Sequence, residues 1–134
     1  MTPFLLTIIT PEKVVFNEQV VSLTAPGQLG YLGILAHHAP LMTSLVPGKL
    51  TLRKGNSGEQ TIVMAVDGGF LEFSHNQATL LADGIIPRDQ INVDSEKTVI
   101  ESIHRKLQSF PDNPDELRKQ LELAQNRLKI HMET

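Results

Sequence analysis

The chain has 134 residues, a formal net charge of −3, 40% hydrophobic residues and no cysteine. These values fit one folded domain with at most a small appendage. They exclude disulfide staples and thiol chemistry, and they give no electrostatic footprint for nucleic acid.

In chain order, residues 1–86 read as β. Phe4–Ile9, Val14–Phe16, Val20–Thr24, Lys49–Arg53, Thr61–Val66, Phe70–Phe73 and Ala78–Ala82 are short runs rich in β-branched and apolar residues. Turn signals separate them: Pro26-Gly27, Pro47-Gly48, Gly55-Asn56-Ser57-Gly58 and His75-Asn76. Many closely spaced short strands predict an all-β sandwich or flattened barrel. The segment Gly30–Leu41 reads as a structured loop, with Gly30 and Gly33 permitting unusual backbone angles and Pro40 fixing a turn after two histidines.

From Asn92 the apolar period changes. Val99, Ile103, Leu107 and Phe110 recur at helical spacing, as do Leu117, Leu121, Ala124, Leu128 and His131. Between the two rows, Phe110-Pro111-Asp112-Asn113-Pro114 ends one helix and starts another. Asn113 suits the cap, Pro114 the first helical position and Glu116 the reciprocal place of a capping box. Asn92 suits the cap of the first helix. The fold class is therefore α+β: an all-β domain over residues 1–86, then an antiparallel two-helix hairpin over residues 87–134. No apolar run reaches the ~20 residues of a membrane-spanning helix. The start, Met1-Thr2-Pro3-Phe4, lacks the pattern of a signal peptide, so a membrane is expected to be met only through another protein.

Several chemical readings fail on spacing. His37 and His38 are adjacent, point opposite ways if extended, and have no cluster of further ligands at metal-binding spacing. Gly27, Gly30 and Gly33 lack the dinucleotide fingerprint, and Pro47-Gly48-Lys49 lacks the rest of a P-loop. Asp67 before Gly68-Gly69 is a turn carboxylate without a nucleophile or base at a spacing that completes a site. A small hydrolase thus has no motif here. A free-standing interaction module, a sandwich that presents a helical hairpin, is the rival reading that composition alone leaves open.

Gly30-Tyr31-Leu32-Gly33-Ile34, then His38-Ala39-Pro40-Leu41 after three residues, closely resembles the Gly-Glu-Leu-Gly-Ile-(x)3-His-Ala-Pro-Leu signature of the epsilon subunits of F-type ATP synthases. Thr10-Pro11-Glu12 with Phe16, and Gly68–Glu72 followed by Asn76 and Thr79–Asp83, match in the same order. The resemblance covers essentially the whole chain. It implies a non-catalytic rotor subunit, one copy per complex, on the cytoplasmic face of a bacterial inner membrane. The sandwich would grip the gamma subunit and rest on the polar loops of the c-ring, with Gly30, Tyr31, Leu32, His38 and Pro40 as interface candidates. The hairpin would extend toward the alpha/beta hexamer and oppose ATP hydrolysis, with Arg105, Lys106, Arg118, Lys119, Arg127 and Lys129 on its exposed faces.

The sequence departs from the family at three places, one of them Ala36-His37, which replaces the common Pro-Gly before the signature histidine. Tyr31 stands where the signature is usually acidic, which leaves an aromatic contact in place of a charged one. Some relatives bind ATP through an Ile-Asp-x-x-Arg-Ala motif at the start of the first helix. Here those positions read Ile91-Asn92-Val93-Asp94-Ser95-Glu96. In the second helix Arg127 matches one of two nucleotide-facing arginines, and the other position holds Leu123. Loss of positive charge and gain of Glu96 disfavour phosphate binding, so no cofactor is expected.

Overall fold

Strict alternation builds the strands. In β1 (Phe4–Ile9), Phe4, Leu6 and Ile8 are buried while Leu5, Thr7 and Ile9 are partly exposed. The same two-residue period buries Ala78, Leu80 and Ala82 in β9 (Gln77–Ala82), Leu71 and Phe73 in β8 (Gly69–Ser74), and Leu50 and Leu52 in β6 (Gly48–Lys54). The remaining strands are β2 (Val14–Val20), β3 (Ser22–Gly27), β4 (Gly30–Ile34), β5 (Leu41–Leu45), β7 (Gln60–Val66) and β10 (Ile85–Pro87). This is a computed structural model; it describes residues 1–133 and separates into two units, Met1–Ile86 and Pro87–Thr134.

The strands run in the order β10-β7-β6-β3-β5-β8-β9-β1-β2, with β4 paired to β3. Between β3 and β5 the register holds a single pair, Gly27 with Leu45. The sheet therefore folds over at that point into two layers. The layers meet again where Glu18 of β2 accepts from Lys54 of β6 at 2.8 Å, and where Val21 N–H donates to Arg53 O at 2.8 Å. The result is a sandwich that approaches a flattened barrel. Its core holds Phe4, Leu6, Leu23, Ile34, Leu50, Leu52, Leu71, Phe73 and Leu80. Phe4 and Phe73 meet edge to face with ring centres 5.5 Å apart. Truncating a fully buried core leucine to alanine costs about 2–5 kcal/mol.

Four sequence expectations change. Val20–Thr24 is not one strand: Val20 and Val21 are both buried, which breaks the alternation, and the chain crosses between layers there. Pro26-Gly27 ends β3 rather than forming the turn, which falls at Gln28-Leu29. Pro26 lies beyond the last β3 residue paired to β6, so no ladder bond is lost on that side. Of the loop expected over Gly30–Leu41, the first five residues are β4, which pairs with β3 from Gly30 to Ile34; residues 35–40 are loop, and β5 follows from Leu41. Gly30 has a φ of 128°, whereas Gly33 is not among the positive-φ residues.

Gly69 starts β8 with a φ of 146°, and a Cβ there would lie 2.0 Å from Leu81 O. The close pairing of β8 on β9 at this point requires glycine.

In the second unit, a short 3-10 turn at Arg88–Gln90 precedes α1 (Val93–Gln108) and α2 (Pro114–Met132). Asn92 caps α1: its side chain accepts from Ser95 N–H at 2.9 Å. Pro114 opens α2, but the Asn113 side chain makes no cap bond. The buried residues of the helices are Ile103, Leu117, Ala124 and Ile130. The stripe thus ends on Ile130, and His131 is exposed. Phe110 leaves the stripe altogether. It follows the Ser109 C-cap with a φ of 53° and is 94% exposed. The helix stops too early for Phe110 to continue its row, and the left-handed position that usually takes glycine is filled by an aromatic. That conformation costs a non-glycine residue roughly 1–2 kcal/mol.

Candidate functional site

The signature residues divide into two groups at opposite ends of β4. At one end, Gly30 and Tyr31 pair with Gly27 and Pro26 in a tight hairpin whose tip is Gln28-Leu29. The Tyr31 hydroxyl accepts from Lys49 N–H at 2.9 Å. A Cβ at Gly48 would lie 2.6 Å from Pro26 Cβ and 2.9 Å from that hydroxyl, so the ring lies close over the start of β6. Tyr31 thereby ties the hairpin to β6 while 59% of its surface stays exposed. At this end Leu29 and Val46 are further exposed apolar residues. Leu32 points the other way and packs on the core.

At the other end, His37 and His38 form a turn rather than an extended pair. His37 has a φ of 64°, and its N–H donates to Asn76 Oδ1 at 2.7 Å. Asn76 Nδ2 in turn donates to Pro3 O at 3.2 Å. His75 and Asn76 are the two central residues of the β8–β9 hairpin, with φ values of 51° and 57°. Two positive φ angles make it a type I′ turn. One amide side chain thus holds the N-terminal segment, the β4–β5 turn and the β8–β9 turn together. His38 Nδ1 lies 2.7 Å from Ala39 O, and its ring meets Phe73 edge to face at 6.0 Å. Pro40 is exposed and opens a shallow groove with Leu41, Met42, Glu72, Phe73 and Ser74. Among the described residues, no three His, Cys, Asp or Glu converge in a way that could hold a metal ion.

On the helices, Arg105, Lys106, Lys119 and Lys129 are exposed. Arg118 is exposed too and pairs with Asp115 at 3.2 Å. Arg127 departs from the expectation of an exposed face. It is partly buried, and its Nη1 lies 3.3 Å from Glu96 Oε2, which joins the first turn of α1 to the later half of α2 and makes the hairpin antiparallel. The other residues at the nucleotide-motif positions are likewise engaged: Ile91 is buried and the Asn92 side chain caps α1. Nearby, Arg88 Nη1 donates to Glu133 O at 3.3 Å, and His131 Nδ1 lies 3.3 Å from Arg88 O.

Residues 3–88 match the family described as ATP synthase delta/epsilon chain, β-sandwich domain. The ATP synthase epsilon chain of Moorella thermoacetica is 40% identical over 126 residues, covering 92% of each chain. The chain belongs to the ATP synthase epsilon family. The epsilon chain of Protochlamydia amoebophila is 44% identical over 107 residues, covering 80% of this chain and 71% of that one. A chain in the Euglena gracilis mitochondrial ATP synthase has the same fold. It superposes with a TM-score of 0.75 at 23% identity, covering 97% of this chain and 79% of that one. Within this epsilon fold, sequence reasoning missed the triple tie at Asn76, the Glu96–Arg127 pair and the exposure of Phe110. The first had a signal in the His75-Asn76 turn. The second had one in the opposite charges at 96 and 127, which is readable only once the helices are known to be antiparallel.

Proposed function

We propose that this chain is the non-catalytic central-stalk subunit of an F-type ATP synthase, peripheral to the membrane that carries the motor. The sandwich grips the gamma subunit and rests on the polar loops of the c-ring, and the helices restrain ATP hydrolysis by the alpha/beta hexamer. The observation that carries this reading is the match to epsilon chains across both the sandwich and the helices, at 92% of each chain for the Moorella relative. Separation of the signature residues to two ends of β4 supports two simultaneous partners. The Tyr31 end offers an apolar and aromatic surface, and the His38–Pro40 end a groove. ATP is not a ligand of the hairpin in this reading, because Glu96 occupies Arg127 and Asn92 is committed to its cap.

The test is ATP hydrolysis by the catalytic sector with the full chain and with a version ending at Pro87. Full-length chain lowers the rate and the truncated one does not, while both still co-purify with gamma. Failure of gamma to bind either version would refute the assignment. Equal rates would refute the restraining role alone.

A further inference from the structure

Phe110 combines two properties that seldom coincide. Single exposed apolar residues are ordinary on protein surfaces. This one is 94% exposed and also holds a left-handed backbone angle of 53° that glycine would adopt without strain. Residues held in such conformations without local compensation cluster at functional positions. The turn itself carries three acids, Asp112, Asp115 and Glu116, within six positions of Phe110, and no basic residue lies between Ser109 and Leu117. All three acids are exposed, and among the described residues only Asp115 has a cationic partner, Arg118 at 3.2 Å. Pro111 and Pro114, set among these groups, stiffen the backbone of the turn, so it has little freedom to lose on contact.

We propose that the turn between α1 and α2 is a docking tip, in which the Phe110 ring enters an apolar pocket rimmed by cationic side chains on a partner protein subunit. The acids fix the chemistry of the rim, and the aromatic supplies the anchor, as buried aromatics do at interface centres. The proposal rests on the reading of this chain as a subunit of the motor, where the partner is another protein of that assembly.

The experiment uses full-length chain and catalytic sector depleted of it. Binding is measured by titration at two salt concentrations, and the thermal midpoint of each free chain is recorded. Phe110→Gly is expected to bind about 10-fold more weakly, while its free chain melts no lower than wild type because the strain is relieved. Asp112→Lys with Glu116→Lys is expected to weaken binding and flatten its salt dependence. Phe110→Tyr, which keeps the ring, is expected to retain affinity within about 3-fold. If wild type binds and Phe110→Gly binds equally well, the docking tip is refuted and the subunit assignment survives. If wild type does not bind, the assignment falls and this proposal with it.

Discussion

Replacing Asn76 tests whether one side chain carries the junction between the N-terminal segment and two turns. Asn76 accepts from His37 N–H at 2.7 Å, donates to Pro3 O at 3.2 Å, and sits at a φ of 57°. Glycine at 76 keeps the backbone angle and loses both bonds. At the modest net value of a hydrogen bond, that amounts to about 1–2 kcal/mol. Alanine loses the same bonds and adds about 1 kcal/mol for a left-handed angle it tolerates poorly, so the total is about 2–3 kcal/mol. Aspartate keeps the acceptor toward His37 and loses only the donor, for about 1 kcal/mol. In a unit of this size each kcal/mol moves the thermal midpoint by about 4–8 °C, so glycine, alanine and aspartate should separate in a melt followed by circular dichroism. Amide exchange gives the local readout: His37 N–H loses protection in Asn76→Gly and Asn76→Ala but keeps it in Asn76→Asp. Equal midpoints for glycine and alanine would show that the turn angle carries no cost. Unchanged protection of His37 in Asn76→Gly would show that Asn76 is not its acceptor.

Four further outcomes follow from features already described. Gly69→Ala drives a Cβ to 2.0 Å from Leu81 O at a φ of 146°, so the β unit should lose more than about 4 kcal/mol and much of its soluble yield; a melt within a few degrees of wild type would contradict this. Glu59 accepts from Ser57 N–H at 2.9 Å and from Ser57 Oγ at 3.0 Å. Those bonds, the backbone N–H of Ser57 foremost, hold its carboxyl below the usual carboxylate range. The β6–β7 turn is therefore favoured above the unfolded-state pKa of Glu59 and loses that contribution as pH falls through the lowered folded value. A carbon-detected titration in which Glu59 titrates at or above the ordinary range would count against it. Finally, Glu96→Gln removes the charge that faces Arg127 and should destabilise the helical unit by about 1–2 kcal/mol, between the values of surface and buried pairs. Wild-type chain titrated calorimetrically with ATP should give no micromolar binding; saturable heat in that range would overturn the assignment of Arg127 to Glu96.

The β unit was legible in the sequence wherever one face of a strand meets the core, since alternation in Phe4–Ile9 or Ala78–Ala82 has no other stable reading. It was illegible where alternation carries little information. β4 holds two glycines and an outward tyrosine, and only Ile34 in it is fully buried. In β5 only Leu45 is buried. Neither strand displays a period strong enough to stand out against its turn residues. The helices were legible from period and caps, yet their ends were not. Spacing extended the first row to Phe110 because a four-and-three count cannot register a backbone that has already turned left-handed. The signature residues were found by resemblance, but their separation to two ends of one strand depends on register. No spacing along the chain contains that.

The parallel pairing of β1 with β9 sets the order in which the protein can assemble. Leu5 is matched to Gln77, 72 positions later. β2, its other neighbour, follows at once, but at ribosomal speeds the first strand waits about 4–14 s for β9 to be made. Until then its apolar face has no permanent home, whereas the helices, whose contacts are local, can close almost as soon as they emerge. Holding factors at the exit tunnel would therefore act on the opening residues of this chain.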